Sequence, residues 1–226
     1  MIRILLVTGL LLTGLISCKT ADEAISKGTV TYDMEFSSDD PNVQAQLGMM
    51  QGSEMVLTFA EQNMKTEMKM GSIMTNTTII NGEQNKGLML MSGMVGKKAV
   101  PMSKEDLEKE NEESPDENDL DIEKTGETKE IAGFQCEKII LTTEEGDAIE
   151  MWVTDEIKPK RKDGRFVREG VGFPLMMETN QQGMVITFSA KEVVQKFEGK
   201  EKDIFSVDVP EGYEITTMEA IQGMGM

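Results

Sequence analysis

The sequence predicts a mainly β protein: a single antiparallel sheet, strongly curved or closed, with one or two short helices. Three observations predict it. Short stretches alternate apolar and polar residues with a period of two, the mark of half-buried strands. They recur at close spacing between turn-forming pairs such as Asn81-Gly82, as in antiparallel sheets that curl or close on themselves. Windows with a helical period are few, and no internal repeat of fixed period is present.

Val30, Tyr32, Met34 and Phe36 alternate with Thr31, Asp33 and Glu35 and form the first expected strand. Asp40-Pro41 then offers a helix cap followed by proline at the first helical position. Val43, Leu47 and Met50 follow at helical spacing, so a short amphipathic helix is expected to about Gln51. Met55, Leu57 and Phe59 resume the alternation. After a tight connection near Glu61-Gln62, Met64, Met68, Met70 and Met74 all fall on even positions, with Lys65, Glu67 and Lys69 on the other side of the strand. Residues 75–80 and 87–91 complete a first run of short strands.

Residues 103–125 break the pattern. From 104 to 124 there are eleven acidic and three basic residues, and the apolar ones are Leu107, Leu120 and Ile122, so the segment reads as a solvated linker. Beyond it Phe134, Cys136 and Lys138 lie on one side of a strand, with Ile139 and Leu141 on the other. Residues 144–147, EEGD, turn that strand into another bearing Ile149, Met151 and Val153. Residues 172–178 and 184–190 form a further pair, turned at 180–183, and Phe205, Val207 and Val209 precede Pro210.

The amino-terminal residues place the chain in an envelope. A short positive start is followed by an apolar run, residues 4–15, too short to span a bilayer and suited to the core of a secretory signal. It ends in Leu15-Ile16-Ser17-Cys18, which resembles a bacterial lipobox. That resemblance implies cleavage before Cys18 and covalent lipid on it, three chains in all, and two or more chains hold a protein firmly. Lys19 after the cysteine, where Asp would retain such proteins at the inner membrane, implies an outer-membrane anchor facing the periplasm or the cell surface. An ordinary secreted protein with a chance cysteine is the alternative. The expected organisation is a signal peptide at 1–17, a lipidated tether at 18–27, a curved β domain at 28–217 interrupted by the acidic linker 103–125, and a flexible tail at 218–226.

Composition narrows the function. With a net charge of −18, the chain lacks the concentrated basic face that nucleic acid requires. No histidine occurs, so Ser-His and Cys-His catalytic arrangements cannot form, and no nucleophile elbow or phosphate loop is present; a non-catalytic role is expected. Asp119, Asp121, Glu123 and Glu130 mimic the spacing of a calcium-binding loop, but Lys124 stands where its turn needs glycine, and the site is rejected. Cys136, left alone if Cys18 is lipidated, reads as a buried strand thiol. The basic run Lys158, Lys160, Arg161, Lys162, Arg165 and Arg168 reads first as an exposed turn, with contact to anionic lipid or an envelope protein as the sharper alternative.

Three segments are similar to a known family. "SEMVLTFAEQNMKTEMKM", "KEIAGFQCEKIIL…GDAIEMWVTDEI" and "IFSVDVPEGYEI" resemble, in the same order, motifs of uncharacterised bacterial lipoproteins grouped as domain of unknown function 4412. The family in turn resembles the LolA/LppX lipoprotein carriers. What the resemblance implies is an incomplete β-barrel with helix on its concave side and a hydrophobic groove; it implies no catalytic residues.

Twenty methionines, against 5% aromatics, form the most distinctive feature. Methionine is unbranched and polarizable and suits apolar surfaces that adapt to variable guests. Met34, Met64, Met68, Met70, Met89, Met91 and Met151 are therefore the expected lining of a pliable cavity for a lipid or other hydrophobic molecule. Two alternatives stand beside it: a filled core in a lipoprotein that binds an envelope protein, and a thioether site for Cu(I) drawn from Met64, Met68, Met70, Met74, Met89, Met91 and Met94. No cofactor is expected other than the covalent lipid on Cys18.

Overall fold

The alternation written in the sequence is kept in space. Along β1 (Lys27–Ser38) Val30, Tyr32 and Met34 are buried while Asp33 and Glu35 are exposed. The computed structural model describes residues 24–94, 96–112, 120–143, 148–160, 170–181, 183–197 and 199–222. The same period of two continues through β2 (Ser53–Ala60), β3 (Asn63–Met70), β4 (Met74–Asn81), β5 (Lys86–Gly93) and β6 (Gly96–Met102), each the antiparallel neighbour of the strand before it. A second meander, β7 (Leu120–Ile131), β8 (Phe134–Thr143), β9 (Ala148–Thr154), β10 (Phe173–Gln181) and β11 (Met184–Val194), starts at the far edge and works back until β11 pairs with β1. With β12 (Glu214–Ile215) beside β6, this makes one twelve-stranded sheet in the order β12-β6-β5-β4-β3-β2-β1-β11-β10-β9-β8-β7.

The sheet is open and curled, an incomplete barrel. Phe59 of β2 and Phe173 of β10 have ring centroids 5.8 Å apart although β1 and β11 lie between their strands. Three strand spacings measure roughly 14 Å on a flat sheet, so the sheet bends around these two rings, and Phe59 marks its concave face. Across the same bend the Tyr32 hydroxyl donates to the Pro174 carbonyl at 2.8 Å. The central core forms here from Val30, Tyr32, Met55, Leu57, Phe59, Met64, Phe173, Leu175 and Phe188. Ile131, Phe134 and Cys136 join it from the β7–β8 hairpin, whose two-residue turn, Ala132-Gly133, has positive φ at both positions, the geometry that matches strand twist.

Four α-helices occur among the described residues, more than the one or two expected. α1 (Pro41–Gln46) starts as the sequence indicates, with the Asp40 carboxylate accepting from the Asn42 amide at 2.8 Å, and a 3-10 turn carries it to Met50. That turn rests on the β3–β4 connection: Ser53 Oγ donates to Met50 O and accepts from Gly71 N at 2.9 Å. A Cβ on Gly71 would come within 2.0 Å of Met49 O, and its φ of +50° is a second reason for glycine there.

The acidic segment 103–125 is corrected: it is not a plain linker. Its first part is α2 (Lys104–Glu112), closed by reciprocal bonds between Ser103 and Asp106, a capping box. Leu107 is buried and reaches the sheet over Gly87, where an added Cβ would meet Met102 Cε at 2.6 Å and Leu107 Cδ2 at 3.1 Å. Its last part opens β7, so Asp121 and Glu123 lie on an edge strand.

Both termini of the expected domain also shift. The tether is already docked at Ile25, which exchanges two backbone hydrogen bonds of 2.8 Å with Glu156 and Lys158. The expected flexible tail begins with α4 (Met218–Gln222), and Ile221 is buried against Met91 and Val100. Phe205, Val207 and Val209 form no strand. They follow α3 (Glu201–Ile204), and Phe205 covers Ala60 and Ile79 on the convex face, where Asn81 Nδ2 donates to its carbonyl at 3.1 Å. The signal peptide, Cys18, the turn 144–147 and the basic residues Arg161, Lys162, Arg165 and Arg168 lie outside the described residues.

Candidate functional site

A strand ladder decides which side chains become neighbours, since residues paired in register project to the same face. From β1 to β6 the ladders contain no bulge. One rung therefore reads Tyr32, Met55, Met68, Asn76, Met91, Lys98. The next in one direction reads Val30, Leu57, Thr66, Thr78, Met89, Val100, and the one beyond it Phe59, Met64, Ile80, Gly87, Met102. At the other end Met70 pairs with Met74, and Met34 pairs with Ser53 and with Phe188 across the seam. Phe59 places all of these on the concave face.

Six of the seven expected lining residues thus share one wall. Met34, Met64 and Met91 are buried; Met68, Met70 and Met89 are half-buried. Met151 lies on the same face in the other half of the sheet, in register with Met34 through Phe188 and Met177. It packs in a second cluster with Ile139, Leu141, Val153 and Val171, and Met177 packs against both clusters. Sequence reasoning left three wall residues out of the lining. Met74 carried the same even-position signal as Met64, Met68 and Met70, and Met55 alternated with Leu57 and Phe59, whereas Met102 lies on β6, a strand hidden by its two lysines and Pro101. Helices α2 and α4 lie over the wall's far end through Leu107 and Ile221.

The Cu(I) set does not assemble whole. Met94 is 87% exposed on the β5–β6 turn, away from the wall. Among the described residues no group of three or more His, Cys, Asp or Glu side chains is placed to hold a metal ion.

A cavity of about 290 Å³ lies elsewhere, between β7, β8, β9 and Val171, and is lined by polar groups including Lys124, Thr128, Glu137, Thr154 and Glu156. Cys136 borders it, 1% exposed, and burial pushes its thiol up to about 11 against a weak pull from Lys129. The Lys129 ammonium sits 4.0 Å above the Trp152 ring and 3.0 Å from Met176 Sδ, and loss of water holds its pKa below the usual lysine range.

The family model described as "Domain of unknown function (DUF4412)" matches residues 42–162, just over half of the chain. Of the three segments that carry the resemblance, those at 53–70 and 129–157 fall inside the match and that at 204–215 falls beyond it. No curated protein matches the sequence. Among solved structures the chain is similar to PNGF-II, with 14% identity and a TM-score of 0.45 over 88% of this chain; it spans 32% of that protein's length. It is also similar to the Mycobacterium tuberculosis lipoprotein LppX, with 9% identity and a TM-score of 0.40 over 77% of this chain and 89% of that one. A LolA superfamily protein from Nitrosomonas europaea gives 10% identity and a TM-score of 0.32 over 80% and 90%.

The buried thiol yields a direct expectation. Native protein at pH 8 leaves Cys136 unalkylated by iodoacetamide, and urea exposes it to full reaction. Because the folded thiol keeps its proton up to about 11 while the unfolded one loses it near 9, the unfolded state binds fewer protons in that window and stability falls as pH rises through it. Urea midpoints from pH 8 to 11, compared with Cys136→Ala, check the sign.

Proposed function

The chain belongs to the DUF4412 family, and from that premise we propose that it is an outer-membrane lipoprotein, anchored through lipid on Cys18, whose methionine wall takes up a lipid or other apolar ligand without chemical conversion. The observation that carries the ligand reading is the wall itself: thioether side chains line one face of a curled sheet, and Met68, Met70, Met74 and Met89 stay half-buried beside the sealed core. A finished core leaves few such groups between water and packing; a wall awaiting a guest leaves several, and thioethers reshape around what they hold. The non-catalytic part rests on a chain without histidine and on a wall whose central polar groups are amides and hydroxyls, its cation, Lys98, standing at the β6 edge and paired with Glu214. Among the described residues no helix is long and apolar enough to cross a membrane. The anchor reading rests on the lipobox.

A second reading, a filled lipoprotein core whose outer surface meets an envelope protein, is favoured by the complete burial of Met55, Leu57 and Phe59. The two separate in one titration. The chain binds the neutral fluorophore N-phenyl-1-naphthylamine saturably, and Met70→Glu with Met74→Glu weakens binding by more than about tenfold, because the wall's cation, Lys98, is already paired with Glu214 and leaves a new carboxylate without a partner. Unchanged far-UV circular dichroism checks the variant's fold. Absence of saturable binding in the wild type favours the filled core. For the anchor, Cys18→Ala abolishes palmitate labelling and moves the chain from the membrane to the soluble fraction; a variant still held in the membrane contradicts it.

A further inference from the structure

The methionine wall is not uniformly apolar. Near its centre stand Thr66, Asn76 and Thr78, all half-buried: Thr66 pairs with Thr78 across β3 and β4, and Asn76 lies between Met68 and Met91 on its rung. The other buried strand asparagines hold turns. Asn63 Oδ1 accepts from Gly82 N at 3.1 Å, and Asn81 Oδ1 accepts from Gln84 N at 3.0 Å while its Nδ2 reaches Phe205 O. Asn76 does no such work. Its Oδ1 exposes less than 1 Å² and has no hydrogen-bond partner among the described residues. A buried amide left unpaired costs the desolvation of that group, and turning the amide over leaves its nitrogen in the same place instead. Leucine would fill the position without that cost.

We propose that Asn76, flanked by the hydroxyls of Thr66 and Thr78, is the recognition point for a hydroxyl on an otherwise apolar ligand. The inference rests on the apolar-ligand reading above and narrows the ligand class. A hydroxyl both donates and accepts, so it satisfies the amide in either orientation. A carboxylate cannot donate to Oδ1, and the cation ending that rung, Lys98, is two strands away and already paired with Glu214 at 2.6 Å. An ether accepts only. The unbranched methionines beside Asn76 rotate to admit the guest, and Ile221 of α4, seated on Met91, marks where the C-terminal segment borders the site.

The test uses the full chain loaded with N-phenyl-1-naphthylamine and displaced by three probes of equal chain length: 1-decanol, decyl methyl ether and decanoate. In the wild type, 1-decanol displaces at a concentration about tenfold below that of the ether, the discrimination expected of one buried hydrogen bond to an otherwise unpaired group. Asn76→Leu and Asn76→Ala both reduce the alcohol-to-ether ratio to about one. Equal displacement by alcohol and ether in the wild type, a ratio that survives both substitutions, or decanoate outcompeting decanol overturns the inference while leaving apolar binding in place. A wild type that binds no fluorophore overturns both. Should neither variant fold, the wild-type ratio decides alone.

Discussion

Five consecutive ladders, from β1 to β6, keep their register without a single bulge, and the remainder of the molecule depends on that. Side chains alternate between faces with a period of two, so one residue of slip in any ladder would carry every methionine beyond it to the convex side. The connections are short enough to prevent this. Two residues join β2 to β3, three join β3 to β4, and two join β5 to β6. Irregularity is confined to the other half, where the β1–β11, β9–β10 and β7–β8 ladders each contain a shift. Bulges increase local twist and bend a strand, so the regular half builds the wall and the irregular half bends the sheet toward it.

The seam between β1 and β11 turns two meanders into one molecule. Phe59 meets Phe173 across it, and the Tyr32 hydroxyl ties β1 to β10 over the intervening strand. Each face then acquires its own cover. The convex side is closed by Phe205 with Phe197, whose ring lies under the Lys27 ammonium at 4.8 Å. The concave side is closed only in part, by α2 through Leu107 and α4 through Ile221. Exposed ion pairs such as Lys191 with Asp33 and Glu54 decorate the sheet but contribute little to its stability. Apolar burial and strand pairing hold the fold.

Much of this was legible in the chain. Val30 to Phe36 and Ile149 to Val153 alternate as half-buried strands must, and Asp40-Pro41 states its helix start outright. The even numbering of Met64, Met68 and Met70 correctly gave a common face. What escaped has physical reasons. α2 lay concealed in charge, its capping box Ser103-Asp106 and its anchor Leu107 outweighed by the acidic residues that fill 104–124. β7 is an edge strand, mostly exposed, and so lacks an apolar stripe to betray it. Phe205, Val207 and Val209 alternate like a strand, yet Phe205 and Val207 pack on the back of the sheet with Ala60 and Ile79 instead of joining an edge. Which residues oppose one another, above all Asn76 between Met68 and Met91, follows from loop lengths that strand periodicity does not contain.

The half-buried concave thioethers are sheltered but not sealed. Peptide-resolved oxidation by dilute hydrogen peroxide reads this residue by residue. Met94 and Met49, 87% and 62% exposed, should react fastest, Met55 and Met64 slowest, and Met68, Met70, Met74 and Met89 between them. Saturating N-phenyl-1-naphthylamine should slow the middle group several-fold and leave Met94 and Met49 unchanged. Middle-group methionines that oxidise as fast as Met94, or that ignore the fluorophore, would contradict the account.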